Sequence, residues 1–280
     1  MPLIASPEIY ESLKLLDDAL SRIIEAAAHI ARDRVTVPVE TALKKKLARA
    51  FKKQGKLFLK RLNKISDKWP VKEAAGNLSD FPDWEDVFNS AADDTQDDFV
   101  KAVNLAIKKV MTVSGKSLAA ELGLGISFDL KNPRAVKYMQ ERGLEMLKEI
   151  NEATTEDLRD LLSASIQNGD SWQDIARGID EMFGDDYPRW RAKMIARTET
   201  GNAYEQGTTA YAAQITKAGV SIEKSWLTDG QADDECADNE DAGWISEDET
   251  FPSGDDEPLA HPNCRCTLIR RVVTDTKKED

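Results

Sequence analysis

The stretch from Cys236 to Cys266 holds all three cysteines of the chain and one of its two histidines, in the order Cys236, His261, Cys264, Cys266. Thiolate sulfur and neutral imidazole nitrogen are donors that Zn²⁺ selects, and four such ligands close a tetrahedral structural site. Asp233, just upstream, offers a carboxylate oxygen as a further candidate ligand. Residues one apart point to opposite sides of an extended strand, so Cys264 and Cys266 need not both reach one ion. Three readings stand. One structural zinc is held by four of these groups; or an open coordination position makes the zinc catalytic; or the cysteines are small buried hydrophobes and His261 is a turn residue. A catalytic zinc needs a general base, and this segment has too many acids for any one to stand out. No phosphate-binding glycine loop is present. The only histidines are His29 and His261, so no Ser/His/Asp triad can be assembled. The expected class is not an enzyme.

The elements that must position these groups can be read outward from the cluster. Residues 225–266 hold thirteen Asp or Glu and one basic residue, Arg265. The loop has little apolar content to bury, so a metal would substitute for a missing core. Its carboxylates repel phosphates, which makes it a poor nucleic-acid face. Ile222–Thr228 and Thr267–Val273 flank it and read as strands. Four helices precede them. Asn132-Pro133 caps and opens one that runs to about Ile150. A second spans Thr155 to Asn168 and stops at Gly169. A third opens at a capping box, Ser171 to Asp174, and reaches Phe183. The fourth runs from Pro188 toward Ile215 and stops at Gly219. Arg197 and Glu199 lie on it two residues apart and do not face each other. We expect both to be structural, each paired to the C-terminal lobe, with Trp226 and Trp244 as packing residues.

The N-terminal part reads as helices that dock. Ser6 and Pro7 open the first helix. Ile9, Leu13, Leu16, Leu20, Ile23, Ala27 and Ile30 then form a strict heptad seam. It serves either a bundle or, as a coiled-coil or docking helix, another subunit. Lys44 to Ser66 holds ten Lys or Arg and no Asp or Glu, with Leu47, Phe51, Phe58, Leu62 and Ile65 as an apolar stripe. Lys44, Lys45, Lys46, Arg49, Lys52, Lys53, Lys56, Lys60 and Arg61 are candidate contacts to DNA, another polyanion or an acidic partner. A solvated face and a membrane surface are the other readings. Trp69-Pro70 marks a break and Gly76–Asp83 a turn. Asp83–Val113 reads as a helix with an acidic start, and Gly115 and Gly123–Gly125 as loop signals.

Composition bounds the rest. With 32% charged and 41% hydrophobic residues over 280 positions, the chain falls in the globular range. No apolar run approaches the ~20 residues that span a bilayer. The N-terminal residues lack the pattern of a signal peptide, so the protein is expected to be made and used inside a cell, or in something assembled there. A net charge of −13 argues against the whole chain coating nucleic acid. The expected fold class is mainly α (α+β). A helical region, 1–126, is followed by a domain over 127–280, with helices in 127–218, a small antiparallel β lobe in 219–273 with a Cys/His-knotted loop, and a short charged tail.

Several of these motifs resemble the phage Mu F-like minor head proteins, also called phage head morphogenesis proteins. They are Phe128-Asp129-Leu130-Lys131-Asn132-Pro133, Ile195-Ala196-Arg197-Thr198-Glu199, Phe251-Pro252-Ser253-Gly254 and His261-Pro262-Asn263-Cys264-Arg265-Cys266. Asn239 to Ile245 fits the family's Asn-x-x-x-Gly-x-Ile stretch. The resemblance spans roughly residues 127–270. Many members carry Cys-x-x-Cys before that Asn; here the first position is Asp233 and Cys236 remains. Set against the family pattern, that leaves Cys236, His261 and Cys264, with Asp233 or Cys266, as candidate ligands of one structural zinc. The resemblance implies a minor capsid protein of a tailed phage, inside the head near the portal, made in the host cytoplasm. Implied roles are procapsid assembly and DNA packaging or ejection, with no catalytic activity. Implied partners are the portal protein, capsid or scaffold proteins and packaged DNA, with no membrane. Similar domains precede toxin modules in bacterial polymorphic toxins, and with the chain ending at Asp280 none is expected here. The alternatives are a DNA-binding ejection accessory and an injected metal-dependent effector enzyme.

Overall fold

The structure, a computed structural model, describes residues 7–65, 78, 83–184, 186–230 and 233–273. Ser6, Ser66, Trp69-Pro70, most of the turn at 76–83, the tail after Val273 and the side chains of Ile9 and Leu13 lie outside the described residues. The protein is mainly α, with a small antiparallel sheet at its C-terminal end.

The heptad segment and the basic segment form one helix, α1 (Pro7–Leu62), which runs straight through Pro38. Pro38 is on the exposed face. There, water can satisfy the carbonyl whose partner N–H the proline lacks. The inward face of α1 begins at Arg32 and Thr36 and continues through Val39, Leu43, Leu47, Phe51, Gln54, Phe58 and Leu62, all buried. Steps of three and four keep that stripe on one side.

The expected single helix from Asp83 is two, α2 (Trp84–Asp93) and α3 (Gln96–Leu122). The break falls at Asp94-Thr95. The Thr95 hydroxyl turns back to the Ala91 and Ala92 carbonyls, at 3.0 Å each. Side chains of this type compete with the helix ladder for backbone groups. Asp97 and Asp98 then occupy the first turn of α3, where the helix dipole favours negative charge. Gly115 is not a loop residue. It lies within α3, and a Cβ there would meet the Phe128 ring at 2.7 Å.

The two helices expected from Asn132 to Asn168 are one, α4 (Pro133–Asn168). The Asn132 side chain caps it through the Arg134 N–H, and Gly169 ends it at φ 67°. Thr154 and Thr155 do not interrupt it, because their hydroxyls bond to the carbonyls four residues back, at 2.7 and 2.8 Å. The capping box between Ser171 and Asp174 opens α5 (Trp172–Met182), and α6 (Asp186–Lys217) follows. Strand β1 (Ile222–Leu227) pairs antiparallel with β2 (Ile245–Ser246) on one side and β3 (Thr267–Val272) on the other. Trp226 lies opposite Leu268 and Ile222 opposite Val272. A short helix, α7 (Asp234–Asp241), was not foreseen in the loop after β1.

Residue 126 separates two sequence textures but not two packing units. The largest core takes Leu43, Leu47 and Phe51 from α1, Val103, Ile107 and Val110 from α3, Met146 and Ile150 from α4, and Ala196, Ala203 and Tyr211 from α6. A second core joins the end of α1 to α2, α5 and the C-terminal half of α4 around Phe58, Phe88, Leu158, Leu162 and Ile179. The third is the small core of the β lobe.

Helix α6 approaches α3 closely at Gly207, where a Cβ would lie 2.0 Å from Ser114 Oγ and 2.7 Å from the Met111 carbonyl oxygen. Gly207→Ala is expected to destabilise the protein by about 1–3 kcal/mol, overpacking outweighing the helix propensity gained. Gly178→Ala on α5 meets Leu161 only at 3.7 Å. It should be neutral or stabilise by up to ~1 kcal/mol. Urea unfolding of the two variants checks both.

Candidate metal centre

Strand pairing brings the two ends of the acidic loop together. Leu227 and Thr267 are partners across β1 and β3, so Cys266 arrives beside the segment that leads to α7. Asp233 caps α7, its side chain accepting the Cys236 N–H at 2.9 Å. That cap aims Cys236 into the lobe. On the opposite side, the chain turns at His261–Cys264, with the Cys264 N–H on the His261 carbonyl at 3.3 Å and Asn263 at φ 66°. Asparagine tolerates this left-handed backbone better than most residues.

Cys236, His261 and Cys264 each place a ligand atom within 4.8 Å of the others. The two sulfurs are 3.8 Å apart. At Zn–S distances near 2.3 Å, tetrahedral ligands are about 3.8 Å apart. Asp233 lies just outside this trio and reaches it through His261, with Oδ2 3.2 Å from Nε2. Nitrogen and oxygen ligands at about 2.0–2.1 Å from a tetrahedral zinc are about 3.3 Å apart. With His261 Nδ1 donating to the Pro262 carbonyl at 3.0 Å, Nε2 carries the lone pair. In the neutral ring two acceptors then face each other across 3.2 Å, which a shared cation would satisfy; in the protonated ring Nε2 donates to Asp233 directly. The residues fit a metal ion.

Cys266 takes another part. Its thiol belongs to the lobe core with Trp226, Phe251 and Leu268, and its backbone N–H bonds the Cys264 sulfur at 3.4 Å. Hydrogen bonds from Cys266 hold the Cys264 thiol well below its ordinary range, with His261 helping. The hydrogen bond to Cys264 and burial push Cys266 up, and burial, then Cys264, pushes Cys236 up. Cys264 is therefore the thiol that ionises first, the form that binds metal.

The lobe is pinned to the helices around this cluster. Arg197 donates to the Asn263 side chain at 3.0 Å, and the Asn263 N–H bonds the Thr198 hydroxyl at 3.0 Å. Arg197 also lies 3.7 Å from Glu40 of α1. His29 bonds the Thr228 carbonyl at 2.8 Å, and Arg265 reaches Asp33 and Asp229 at 3.3 and 3.4 Å. Glu199 does not pair with the lobe as expected. Its buried carboxylate faces α4, where Arg142 donates to it at 2.6 and 3.0 Å. Two residues apart on a helix point in different directions, so Arg197 and Glu199 serve different neighbours. Burial pushes Glu199 up, against the pull of Arg142.

Several residues that hold the site were missed. Arg270 is buried and donates to Thr208, Thr209 and Glu247 at 2.8–2.9 Å. Glu257 accepts from Gln206, Thr209 and, at 3.1 Å, Arg134. Buried Asn239 exchanges hydrogen bonds with Ser253, at 2.9 and 3.0 Å, and fastens α7 to the loop. The polar run Thr208-Thr209 inside a buried helix was the available signal: buried hydroxyls need partners.

The remaining candidates are placed as follows. Trp226 is buried and meets Phe251 edge to face at 5.1 Å. Trp244 is partly exposed, under the Arg271 guanidinium at 4.2 Å. Of the basic set, Lys45, Lys46, Arg49, Lys53, Lys56 and Lys60 are exposed, and Lys44, Lys52 and Arg61 half-buried. Lys53 pairs with Asp98 at 2.7 Å and Arg61 with Asp94. Lys46, Arg49 and Lys53 line a groove of about 390 Å³ with Lys101 and Leu105. Leu16, Leu20 and Ile23 of the seam are exposed. No helix among the described residues is long and apolar enough to cross a membrane.

Residues 156–269 match the model of the family described as Phage Mu protein F like protein. The chain carries a Mu F-like domain. The matched span starts inside α4 and runs to β3, so the Mu F-like segment contains every candidate metal ligand. The motif at Phe128–Pro133 falls outside it. The match covers 114 of the 280 residues, and over that span the chain is similar to the Phage Mu protein F like proteins. No curated protein and no solved structure matches the chain.

One buried acid makes the joint between the Mu F-like lobe and the helices sensitive to pH. Glu205 on α6 is fully buried, accepts from Thr267 at 2.7 Å, and is pushed up to about 7 by burial. A carboxyl raised in the folded state contributes stability while protonated and loses it as pH climbs from its unfolded value, near 4.3, toward 7. The loss is roughly 3 kcal/mol. Glu205→Gln keeps an acceptor for Thr267 and carries no charge. Urea unfolding from pH 4.5 to 8 should show stability falling less steeply in Glu205→Gln than in the parent.

Proposed function

We propose that this chain is a structural component of a tailed-phage head, and that one zinc ion bound by Cys236, Cys264, His261 and Asp233 locks its Mu F-like lobe. The observation that carries this reading is the convergence of Cys236, His261 and Cys264 within 4.8 Å of one another, with the two sulfurs 3.8 Å apart and Asp233 against the imidazole. Zinc supplies a cross-link between α7 and the His261–Cys264 turn, which a lobe of this size lacks otherwise. Cys266 supports the site from beneath without ligating. In this reading the protein works in the virion interior and is made in the host cytoplasm. Its partners are the portal and capsid or scaffold proteins, and packaged DNA lies along the exposed Lys45–Lys60 face of α1. Its task is assembly, not turnover.

Two measurements test the reading. Purified protein should carry about one zinc per chain. Cys264→Ser should lose the metal and melt lower; Asp233→Asn should bind zinc more weakly; Cys266→Ala should retain it. A metal content near zero in the parent, or metal retained in Cys264→Ser, defeats the zinc site. Double-stranded DNA should bind with an affinity that falls steeply with salt. Charge reversal of Lys45, Arg49 and Lys56 should flatten that salt slope by up to about 3, at ~0.9 per lost phosphate contact. An unchanged slope removes DNA from this face.

A further inference from the structure

We infer that residues 9–30 of α1 assemble copies of this chain into a coiled coil. The seam has Leu13, Leu20 and Ala27 at a positions and Ile9, Leu16, Ile23 and Ile30 at d positions. It does not continue the stripe that packs on the protein's own core. At about 100° per residue, the seam is centred roughly half a turn away from the stripe of Thr36, Val39, Leu43 and Leu47. No other part of the described chain covers it. Leu20, Ile23 and Ile30 are each more than half exposed, and Leu15, Leu16 and Ile24 are exposed beside them. The β lobe meets α1 at the C-terminal end of the arm, through His29 and Asp33. A partner helix on the seam therefore clashes with neither the lobe nor the bundle, and the bodies of several copies would point outward from a common axis.

The charge pattern selects a second copy over a foreign helix. Partner choice in coiled coils is set by charges at e and g. Here those positions are almost without charge: Tyr10, Ser12, Asp17, Ala19, Ile24, Ala26, Ala31 and Asp33. Asp33 is engaged by Arg265. In a parallel register the e position at 17 pairs with the g position at 12 of the neighbour, an acid with a serine, so no like charges meet there. Glu11, Lys14, Asp18, Arg22 and Glu25 fall at the outer b, c and f positions. Every a and d layer is apolar against its own copy, and no seam position carries a polar group that would ask for a different partner. Leucine at a with isoleucine at d favours three or four strands over two, and Ala19, Ile24 and Ala26 widen the apolar strip in the same direction. The outward face turns basic from Lys45 onward, through Arg49, Lys52 and Lys56. Repulsion between these rows limits the coil to the N-terminal arm.

The test is the mass of the full-length chain by size-exclusion chromatography with light scattering, at tens of micromolar and with chelator present, so that it does not depend on zinc. The parent should run as several copies. Leu20→Glu with Ile23→Glu, two exposed positions, should run as a monomer and keep the thermal transition of the body. Circular dichroism should show helix loss confined to a fraction matching the arm. A monomeric parent, or an assembly whose mass the double substitution leaves unchanged, overturns the inference. A monomeric parent whose arm binds only another head protein overturns it equally.

Discussion

The joint between β3 and α6 is the contact on which the rest of the C-terminal lobe depends. The lobe core contains six buried side chains, and three of them are cysteines. That is too little apolar burial to hold thirty residues of acidic loop in one conformation. The strand is held from the helical side instead. Arg270 reaches across to Thr208 and Thr209, Thr267 donates to Glu205, and Glu257 collects Gln206, Thr209 and Arg134. All of these links but the exposed Arg134 contact are buried or half-buried, where breaking one leaves a polar group unsatisfied and costs more than the bond contributes. With β3 fixed, Cys266 enters the lobe core and Cys264 is presented at its edge. The cysteine cluster is therefore a consequence of the joint as well as a reinforcement of it. Zinc would tie the outer end of a loop whose inner end is already tied to α6.

Helix α6 can serve as that anchor because it is buried on more than one side. Ala192, Ala196, Ala203, Ala210 and Ala212 are all buried. Small side chains let α1 and α3 approach the backbone closely, and Gly207 is the closest approach. The cost is a helix with weak amphipathic periodicity, because its buried residues face three different neighbours. Polar residues on it are not solvent-facing by default. Glu199, Glu205, Thr208 and Thr209 are buried and each meets a partner on α4 or in the lobe, while buried Thr200 turns back to its own helix at the Ala196 and Arg197 carbonyls. This accounts for how one helix of the Mu F-like segment ties the lobe, α4 and the N-terminal helices into one body.

What was legible in the sequence was local. Asn132 as a cap, the box at Ser171, Gly169 and Gly219 as stops, and the two long strands all follow from chemistry within a few residues. The Cys/His cluster was legible because its residue types are scarce. What was not legible depended on distant partners. Thr154-Thr155 and Pro38 look like interruptions, but packing along α4 and α1 outweighs weak local propensity. The Asp94-Thr95 break has the composition of a helix start, and it went unseen inside a longer acidic run. Gly115 reads as a loop until Phe128 supplies the reason for it. Glu199 was assigned the wrong partner because sequence spacing says which residues diverge on a helix, not which neighbour each one meets. Strand alternation raised the question of whether Cys264 and Cys266 face one ion; the buried place of Cys266 beside Trp226 depended on the fold of the lobe.

The two faces of α1 carry the last step. Among the described residues, the helix contributes nothing to the cores before Arg32; from there onward its inner face is continuous with them. A helix of that length standing free of its body gains little from propensity alone, since most helical stability in proteins comes from packing an apolar face. Leaving a row of leucines and isoleucines in water is also unfavourable by about 1.5–3 kcal/mol for each side chain left unburied. Both costs disappear if something covers the seam. The covering surface must be apolar, helical in period and indifferent to flanking charge, and the chain presents such a surface itself. The arm is thus best understood as half of a folding unit whose other half is supplied by another molecule, while the body below it, complete without the arm, sets the direction in which the basic face and the Mu F-like lobe are displayed.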